Sequence, residues 1–435
     1  MVAIVRLVIQ IAVVICVART IGIVFRKIRQ PQVMGEMVAG IVLGPSLLGL
    51  LTPRVMTTLF PESSLGYLNA VSQIGLILFM FLVGLGINPK ELKRQGHAAV
   101  LVSHISITAP FFLAACLALF LYPRLSENGI SFANFALFMG AAMSVTAFPV
   151  LARILAERDM LDTRLGTVAI SCAAVDDVTG WGVLAYIVAL VRARGTNTPP
   201  WVTLLGFVVF VLIMVFGLKR LLRRFEIAYD RSGHLSDNML AAIILLVLAS
   251  ALATEWLGIH LLFGAFLLGA IMPKDPTFVR YLTHKLEFIP VVVLLPTFFA
   301  LTGLKTSISV IRGPSMAFYC ILIIVVAIFG KLGGSTIAAR VTGSSFREAS
   351  ALGVLMNTRG LMELVILNIG REIKVISPAL FSMMVLMALI TTFMTSPLLE
   401  WIYPRRSLRI EVQSAPLERP NRESEDSPLK VAPAP

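Results

Sequence analysis

Ser171-Cys172-Ala173-Ala174-Val175-Asp176-Asp177-Val178-Thr179-Gly180-Trp181 sets two adjacent carboxylates in the middle of an apolar run that extends from about residue 165 to 191. Neither acid is near enough to an end of the run for its head group to reach water by stretching along the helix. Of the 435 residues 57% are apolar and 14% are charged, whereas soluble domains carry about 25% charged residues. That composition excludes a soluble globule, a collagenous or disulfide-rich chain, a disordered chain, and a soluble nucleic-acid binder that would owe the net charge of +13 to a basic face. The solvent around Asp176 and Asp177 is therefore lipid and protein, where a charge costs several kcal/mol and marks a functional site.

Outward from this stretch, apolar runs bounded by Pro, Gly and charge recur at about 2–25, 33–51, 66–87, 97–121, 132–156, 165–191, 201–222, 237–257, 259–273, 287–304, 314–339, 346–370 and 377–402. The pattern predicts an all-α polytopic membrane protein of about 13 transmembrane helices. An odd count puts the two termini on opposite sides. Loops on the side of the C-terminus hold 22 Lys and Arg, among them Arg29, Lys90, Lys93, Arg94 and Arg405, against 9 on the other side. The positive-inside rule then predicts a cytoplasmic C-terminus and an external N-terminus in the cell membrane. The first run is too long for a signal peptide and lacks a small-residue cleavage site, so it stays as a helix. Cys16, Cys116, Cys172 and Cys320 all sit in apolar runs without metal or redox spacing, and neither disulfide nor cofactor is expected. The expected organisation is a membrane domain over 1–402 and a Pro-rich, charged, disordered cytoplasmic tail over 403–435.

Other polar residues interrupt the runs. Lys331, in Ile328-Phe329-Gly330-Lys331-Leu332-Gly333, is the natural counter-charge for one aspartate, with a snorkelling helix-end lysine as the alternative. Lys305 is either a second counter-charge or an interface anchor. Glu36 lies early in a Gly-rich second run, and Arg359 and Glu363 are four apart, so they can pair along one helical face. Glu255 reads as an interface residue, and His104 as a satisfied core histidine rather than a proton relay. In the fifth run Ser144-Val145-Thr146-Ala147-Phe148-Pro149, Pro149 is expected to break the helical ladder, exposing carbonyls near Val145 beside the hydroxyls of Ser144 and Thr146. Such a break next to two aspartates suits a cation, although a simple proline kink would leave the same trace. A second interruption, Asn357 to Gly360, falls seven runs later, and matched interruptions point to inverted repeats around a midplane site.

These residues resemble the monovalent cation:proton antiporter 2 family, which includes bacterial Na+/H+ and K+/H+ antiporters and plant cation/H+ exchangers. The stretches that carry the resemblance are Gly35 to Ser46, Leu78 to Leu85, Ser144 to Leu155, Ala173 to Asp177, Phe299 to Thr306 and Asn357 to Gly370. The resemblance implies inverted five-helix repeats with two crossed broken helices, a mobile core domain interleaved with a dimerisation domain, and a homodimer. It also implies that Asp177 is the carboxylate that holds either the monovalent cation or the proton. Asp176 would be its lysine-paired neighbour, Lys331 that lysine, and Thr146 a residue near the bound ion. Plant members carry Asn-Asp at Asp176-Asp177 and tend to have Lys at Arg359. Beside antiport stand two other readings: a cation channel or ion-sensing membrane protein using the same aspartates, and an intramembrane hydrolase. The hydrolase is disfavoured because aspartyl types take their carboxylates from separate helices, and no Ser/His nucleophile motif is present.

Overall fold

The computed structural model describes residues 2–28, 30–87, 96–158, 160–161, 163–192 and 200–404. The loop cations Arg29, Lys90, Lys93, Arg94 and Arg194, and the expected tail from Arg405 onward, lie outside those residues. Among the described residues, 11 helices are long and apolar enough to cross a membrane, 12 with one bent pair taken as a single span. The short apolar helix Leu261–Ile271 supplies the remaining run read from the sequence. Cys16, Cys116, Cys172 and Cys320 are not joined in disulfides.

The first span, Val2–Lys27, turns at Pro31 into the second, Gln32–Leu43, and the short helix Pro53–Leu59 leads to the third, Glu62–Gly86. The fourth is Gly96–Leu125. The fifth is broken into Phe132–Ser144 and Phe148–Glu157, and the sixth, Arg164–Arg192, carries both aspartates. Beyond it come a seventh span ending in Lys219–Ser232, the eighth Asp237–Trp256, the ninth Leu261–Ile271 and a polar helix Pro276–Leu286. The tenth ends in Leu295–Lys305, and the eleventh runs from Pro314–Ile328 through a π-helical turn, Phe329–Gly333, into Gly334–Val341. The twelfth is again broken, Phe346–Met356 then Leu361–Glu372, bent by 41°. The thirteenth is Pro378–Ile402.

Local chemistry sets these boundaries. Ser131, Ser345 and Ser377 each cap a helix by accepting from a backbone N–H two or three positions inside it, and Ser345 with Glu348 forms a reciprocal capping box. Pro149 does not kink a continuous helix. It occupies the first turn of Phe148–Glu157, where its missing N–H has no helical partner to lose, and the break itself is the extended stretch Val145-Thr146-Ala147. Spans pack closely where glycines meet. A Cβ on Gly40 or Gly303 would strike the backbone of the other's helix, and Gly84 and Gly269 interlock the third and ninth spans in the same way. Large apolar side chains face outward at Phe216, Phe288 and Phe346, and Trp256 and Trp401 lie exposed at the ends of the eighth and thirteenth spans, where a bilayer has its interfaces.

Candidate functional site

The two broken spans cross at their breaks. Ala147 N–H donates to the Thr358 carbonyl at 2.9 Å, and the Thr146 hydroxyl lies 3.0 Å from the Met356 carbonyl. Thr392 of the thirteenth span closes the second break from behind. Its hydroxyl donates to the Arg359 carbonyl at 2.7 Å and accepts from the Arg359 N–H at 2.9 Å. These bonds satisfy main-chain groups that an interrupted helix leaves without partners inside a membrane.

Asp176 and Asp177 face this crossing from the sixth span, both with no exposed surface. Their surroundings are opposite. Asp176 accepts from Ser103 Oγ at 2.8 Å, from Ser106 Oγ at 3.1 Å to each oxygen, from Thr146 Oγ1 at 2.8 Å and from Lys331 Nζ at 2.7 Å. Lys331 is fully buried in the π-helical turn of the eleventh span, an irregularity that often accompanies functional sites. Its ammonium has three donors, and three acceptors meet it: Asp176, the Ser106 carbonyl at 2.9 Å and the Ser144 carbonyl. Asp177, one residue on, has neither oxygen bonded to any group. Buried polar atoms without partners are rare, and those that occur call for a functional account. Asn357 Oδ1, Thr358 Oγ1, Glu363 Oε1 and the Trp181 indole N–H, one helical turn beyond Asp177, are likewise unpartnered.

Arg359, also buried, reaches from the second break to the end of the first broken helix. It donates to the Met143 carbonyl at 2.7 Å and the Ala142 carbonyl at 3.3 Å, and it pairs with Glu363 at 3.4 Å. A helix C-terminus carries negative partial charge, and here two side-chain cations cover it. The carbonyls that the break was expected to offer to a transported cation are taken by Lys331 and Arg359. Ser144 therefore contributes a carbonyl to Lys331, and its hydroxyl is spent on the Ala141 carbonyl at 3.0 Å.

Other expected residues lie apart. Lys305 is exposed at the end of its helix and donates to Asn368 Oδ1 at 3.2 Å, with no bond to either aspartate. Glu36 is buried on the second span, where Gln32 donates to it at 3.3 Å and Arg19 approaches to 4.0 Å. His104 is exposed on the fourth span, with Nδ1 2.8 Å from the Val100 carbonyl, so it is not a core residue. Glu255 accepts from the Leu261 N–H at 3.1 Å and so caps the ninth span. Ser103, Ser106 and Thr392 were not singled out from sequence. The signal was available as Ser103-x-x-Ser106, two hydroxyls on one face of an apolar helix.

The family described as "Sodium/hydrogen exchanger, transmembrane" matches residues 12–401. The chain is 45% identical over 396 residues to a Na(+)/H(+) antiporter, NhaS4, of Synechocystis, covering 91% of this chain and 96% of that protein. It is 40% identical to cation/H(+) antiporter 17 of Arabidopsis thaliana and 36% identical to K(+)/H(+) antiporter 1 of Saccharomyces cerevisiae, covering 96% and 91% of this chain. It spans about half the length of those two, 51% and 47%. Among solved structures, the sodium proton antiporter MjNhaP1 of Methanocaldococcus jannaschii aligns over 94% of this chain and 99% of its own with a TM-score of 0.66 at 14% identity, a likeness of fold. With a profile match over nearly the whole membrane region, the chain belongs to the transmembrane sodium/hydrogen exchanger family.

Proposed function

We propose that this multi-pass membrane protein is a secondary transporter, not an enzyme, that exchanges a monovalent cation, Na+ or K+, for protons, with Asp177 as the group for which the two compete. The observation that carries this reading is the division between the neighbouring acids. Asp176 is fully hydrogen-bonded and paired with Lys331, whereas Asp177 is equally buried and has no partner for either oxygen. A permanently ionised, unpaired carboxylate is too costly at this depth. A proton neutralises Asp177, and so does one monovalent cation, and each excludes the other. Thr358 and Asn357, whose side-chain oxygens are also unpartnered, are candidate secondary ligands.

Exchange further requires the site to open to each side in turn. The core that moves comprises the two broken spans with the fourth, sixth, eleventh and thirteenth, which bond to the crossing or carry its charged groups. The scaffold that stays holds the first three spans and those from seven to ten and forms a homodimer. Orientation follows the sorting of loop cations, with the C-terminus cytoplasmic and the protein in the cell membrane. The test is a pH-gradient dequenching assay in everted vesicles or proteoliposomes, adding Na+, K+ and Li+ in turn. Cation addition dissipates the gradient in the wild type, and Asp177→Asn abolishes the response at equal expression. Passive cation current without proton movement would instead identify a channel, and no response to any of the three cations would sink the exchange reading.

A further inference from the structure

Lys305, which takes no part in the crossing, belongs to a polar cluster where the core meets the scaffold. Asn368 stands on the second half of the twelfth span, Leu361–Glu372, and is 6% exposed. Its amide works in both directions across the boundary: Nδ2 donates to Thr302 Oγ1 at 2.9 Å, and Oδ1 accepts from Lys305 Nζ at 3.2 Å. Thr302 and Lys305 lie one turn apart at the end of the tenth span. Asn368 follows the break at Gly360 by eight residues, about 12 Å along a helix at 1.5 Å per residue. The turns after both helix ends, 306–313 and 373–377, are external in the orientation proposed above, so the cluster sits at the external mouth of the path to Asp177.

Each half of the contact is fixed to its own body. On the scaffold, Gly303 lies so close to the Gly40 backbone of the second span that a Cβ would strike it. Ser46, just past the end of the second span, donates to the Thr306 carbonyl at 2.9 Å and accepts from the Ile308 N–H at 3.1 Å. In the core, Gly370 packs on the Phe138 ring with no room for a Cβ, and Arg371 pairs at 3.1 Å with Glu127, just beyond the fourth span. Close-packed bodies transmit displacement rather than absorb it, so movement of the core past the scaffold parts the Asn368 amide from Thr302 and Lys305. The Ser307 N–H bond to Ser382 Oγ at 3.1 Å crosses the boundary on the same side. Toward the opposite side, the crossing bonds are Gln30 Nε2 to the Phe393 carbonyl at 3.1 Å and Arg153 to Gln32 at a longer 3.4 Å.

We propose that Asn368 is a positioning residue that holds the external passage to Asp177 closed, and that its amide leaves Thr302 and Lys305 each time the site opens outward. The inference rests on the exchange reading and on the core and scaffold assigned there. Removing the two bonds favours the outward-open state over the inward-open one. Apparent affinity scales with the population of the competent state, so the ratio of the KM values measured from the two sides follows the ratio of the two populations.

The test measures the KM for the driving cation, Na+ or K+, with the full-length protein in right-side-out and in everted vesicles, where the added cation meets the external and the cytoplasmic face respectively. Asn368→Leu keeps the side-chain size and removes both bonds. It should lower the ratio of external to cytoplasmic KM about tenfold, the weight of one charge-assisted hydrogen bond. Thr302→Val, which removes one acceptor, should give a smaller fall in the same direction. Glu127→Gln breaks an ion pair inside the core on the same side and should leave the ratio unchanged. A merely structural role for Asn368 would lower the maximal rate from both sides without moving the ratio. The pair Thr302→Cys/Asn368→Cys, oxidised to a disulfide, should arrest exchange and recover on reduction, while the wild type treated in the same way keeps its rate. The inference is overturned if Asn368→Leu leaves the ratio unchanged, if Glu127→Gln moves it as far, or if the crosslinked protein exchanges as fast as the reduced one. A rise in the ratio would set the contact on the cytoplasmic passage and overturn it as well. A wild type without cation-driven proton movement overturns the exchange reading and this inference with it, whereas any of the other results in an exchanging wild type overturns this inference alone.

Discussion

Lys331→Met and Asp177→Asn both alter one charge at the crossing, yet the structure assigns them opposite consequences for stability. Removing the Lys331 ammonium strips Asp176 of its ion pair at 2.7 Å and takes from the Ser144 carbonyl its only side-chain donor among the described residues, with every group fully or nearly fully buried. Deleting one partner of a buried pair costs about 3–5 kcal/mol, roughly a hundred- to several-thousand-fold in the folding equilibrium. The three hydroxyls on Asp176 recover little of this, since they already donate to it in the native protein. Asp177→Asn deletes no bond, because neither oxygen has a partner, and it relieves the desolvation of a carboxylate. The expected result is that Lys331→Met melts well below the wild type in detergent while Asp177→Asn melts at or above it. In proteoliposomes Asp177→Asn has no cation-driven proton movement. The double variant Asp176→Asn/Lys331→Met, which removes both members of the pair, should regain most of the lost stability. An Asp177→Asn protein as unstable as Lys331→Met would refute the division of roles between the two acids. So would a Lys331→Met protein as stable as the wild type.

Three further outcomes follow from single contacts. Arg359→Met uncovers the Ala142 and Met143 carbonyls and leaves Glu363 buried without its partner, an expected loss of about 3 kcal/mol or more in chemical unfolding; Arg359→Lys should recover only part, because two separate guanidinium nitrogens serve these acceptors, one the Ala142 carbonyl and Glu363 and the other the Met143 carbonyl, and a lysine has one nitrogen to place. Thr392→Val removes both bonds to the Arg359 backbone at the second break and should cost about 1–3 kcal/mol, with a matching drop in melting temperature. At Lys274, outside the spans, burial pushes the ammonium down from 10.5 to about 7 even though its Nζ donates to the carbonyls of Gly84, Leu85 and Gly269 at 2.9–3.0 Å. Between pH 7 and 10.5 the unfolded chain binds the extra proton, so the contribution of Lys274 to stability rises with pH over that window. The wild type should therefore gain thermal stability between pH 7 and 10 relative to Lys274→Met, and an unchanged difference would show that this amine does not titrate there.

The spans were legible because lipid leaves so few ways to place a backbone: long apolar runs had to be helices, and the two interruptions at Val145 and Asn357 had to be covered by protein. The depth of Asp176, Asp177 and Lys331 was legible for the same reason. Which aspartate pairs with Lys331 came only from the family resemblance and not from the apolar pattern, because adjacent positions on one helix differ only in the direction they face, and that is set by the fourth, fifth and eleventh spans together. Pro149 marked the break correctly but not its cause. In the first turn of a half-helix a proline fits without loss, so the interruption belongs to the three extended residues before it. Lys305 misled through distance: a lysine near a span end is close to the aspartates in none of its sequence context, and here it bonds Asn368 instead.

The same geometry bears on why the exchanged ion should carry a single charge. Three carboxylates and two cations meet at the crossing, and four of the five are consumed in the pairs Asp176–Lys331 and Arg359–Glu363. Both cations also hold the carbonyl end of Phe132–Ser144, at Ser144 and at Ala142 and Met143. To release either one for another partner would expose a helix terminus as well as a carboxylate, so the two pairs act as fixed framework. What stays variable is Asp177, one negative charge. A proton or a monovalent cation brings the site to neutrality, whereas a divalent ion would leave a net positive charge between Lys331 and Arg359 in a medium that screens it poorly. With Asp177 in its proposed role, selection against divalent ions follows from the charge balance of the crossing, independently of any fit to ionic radius.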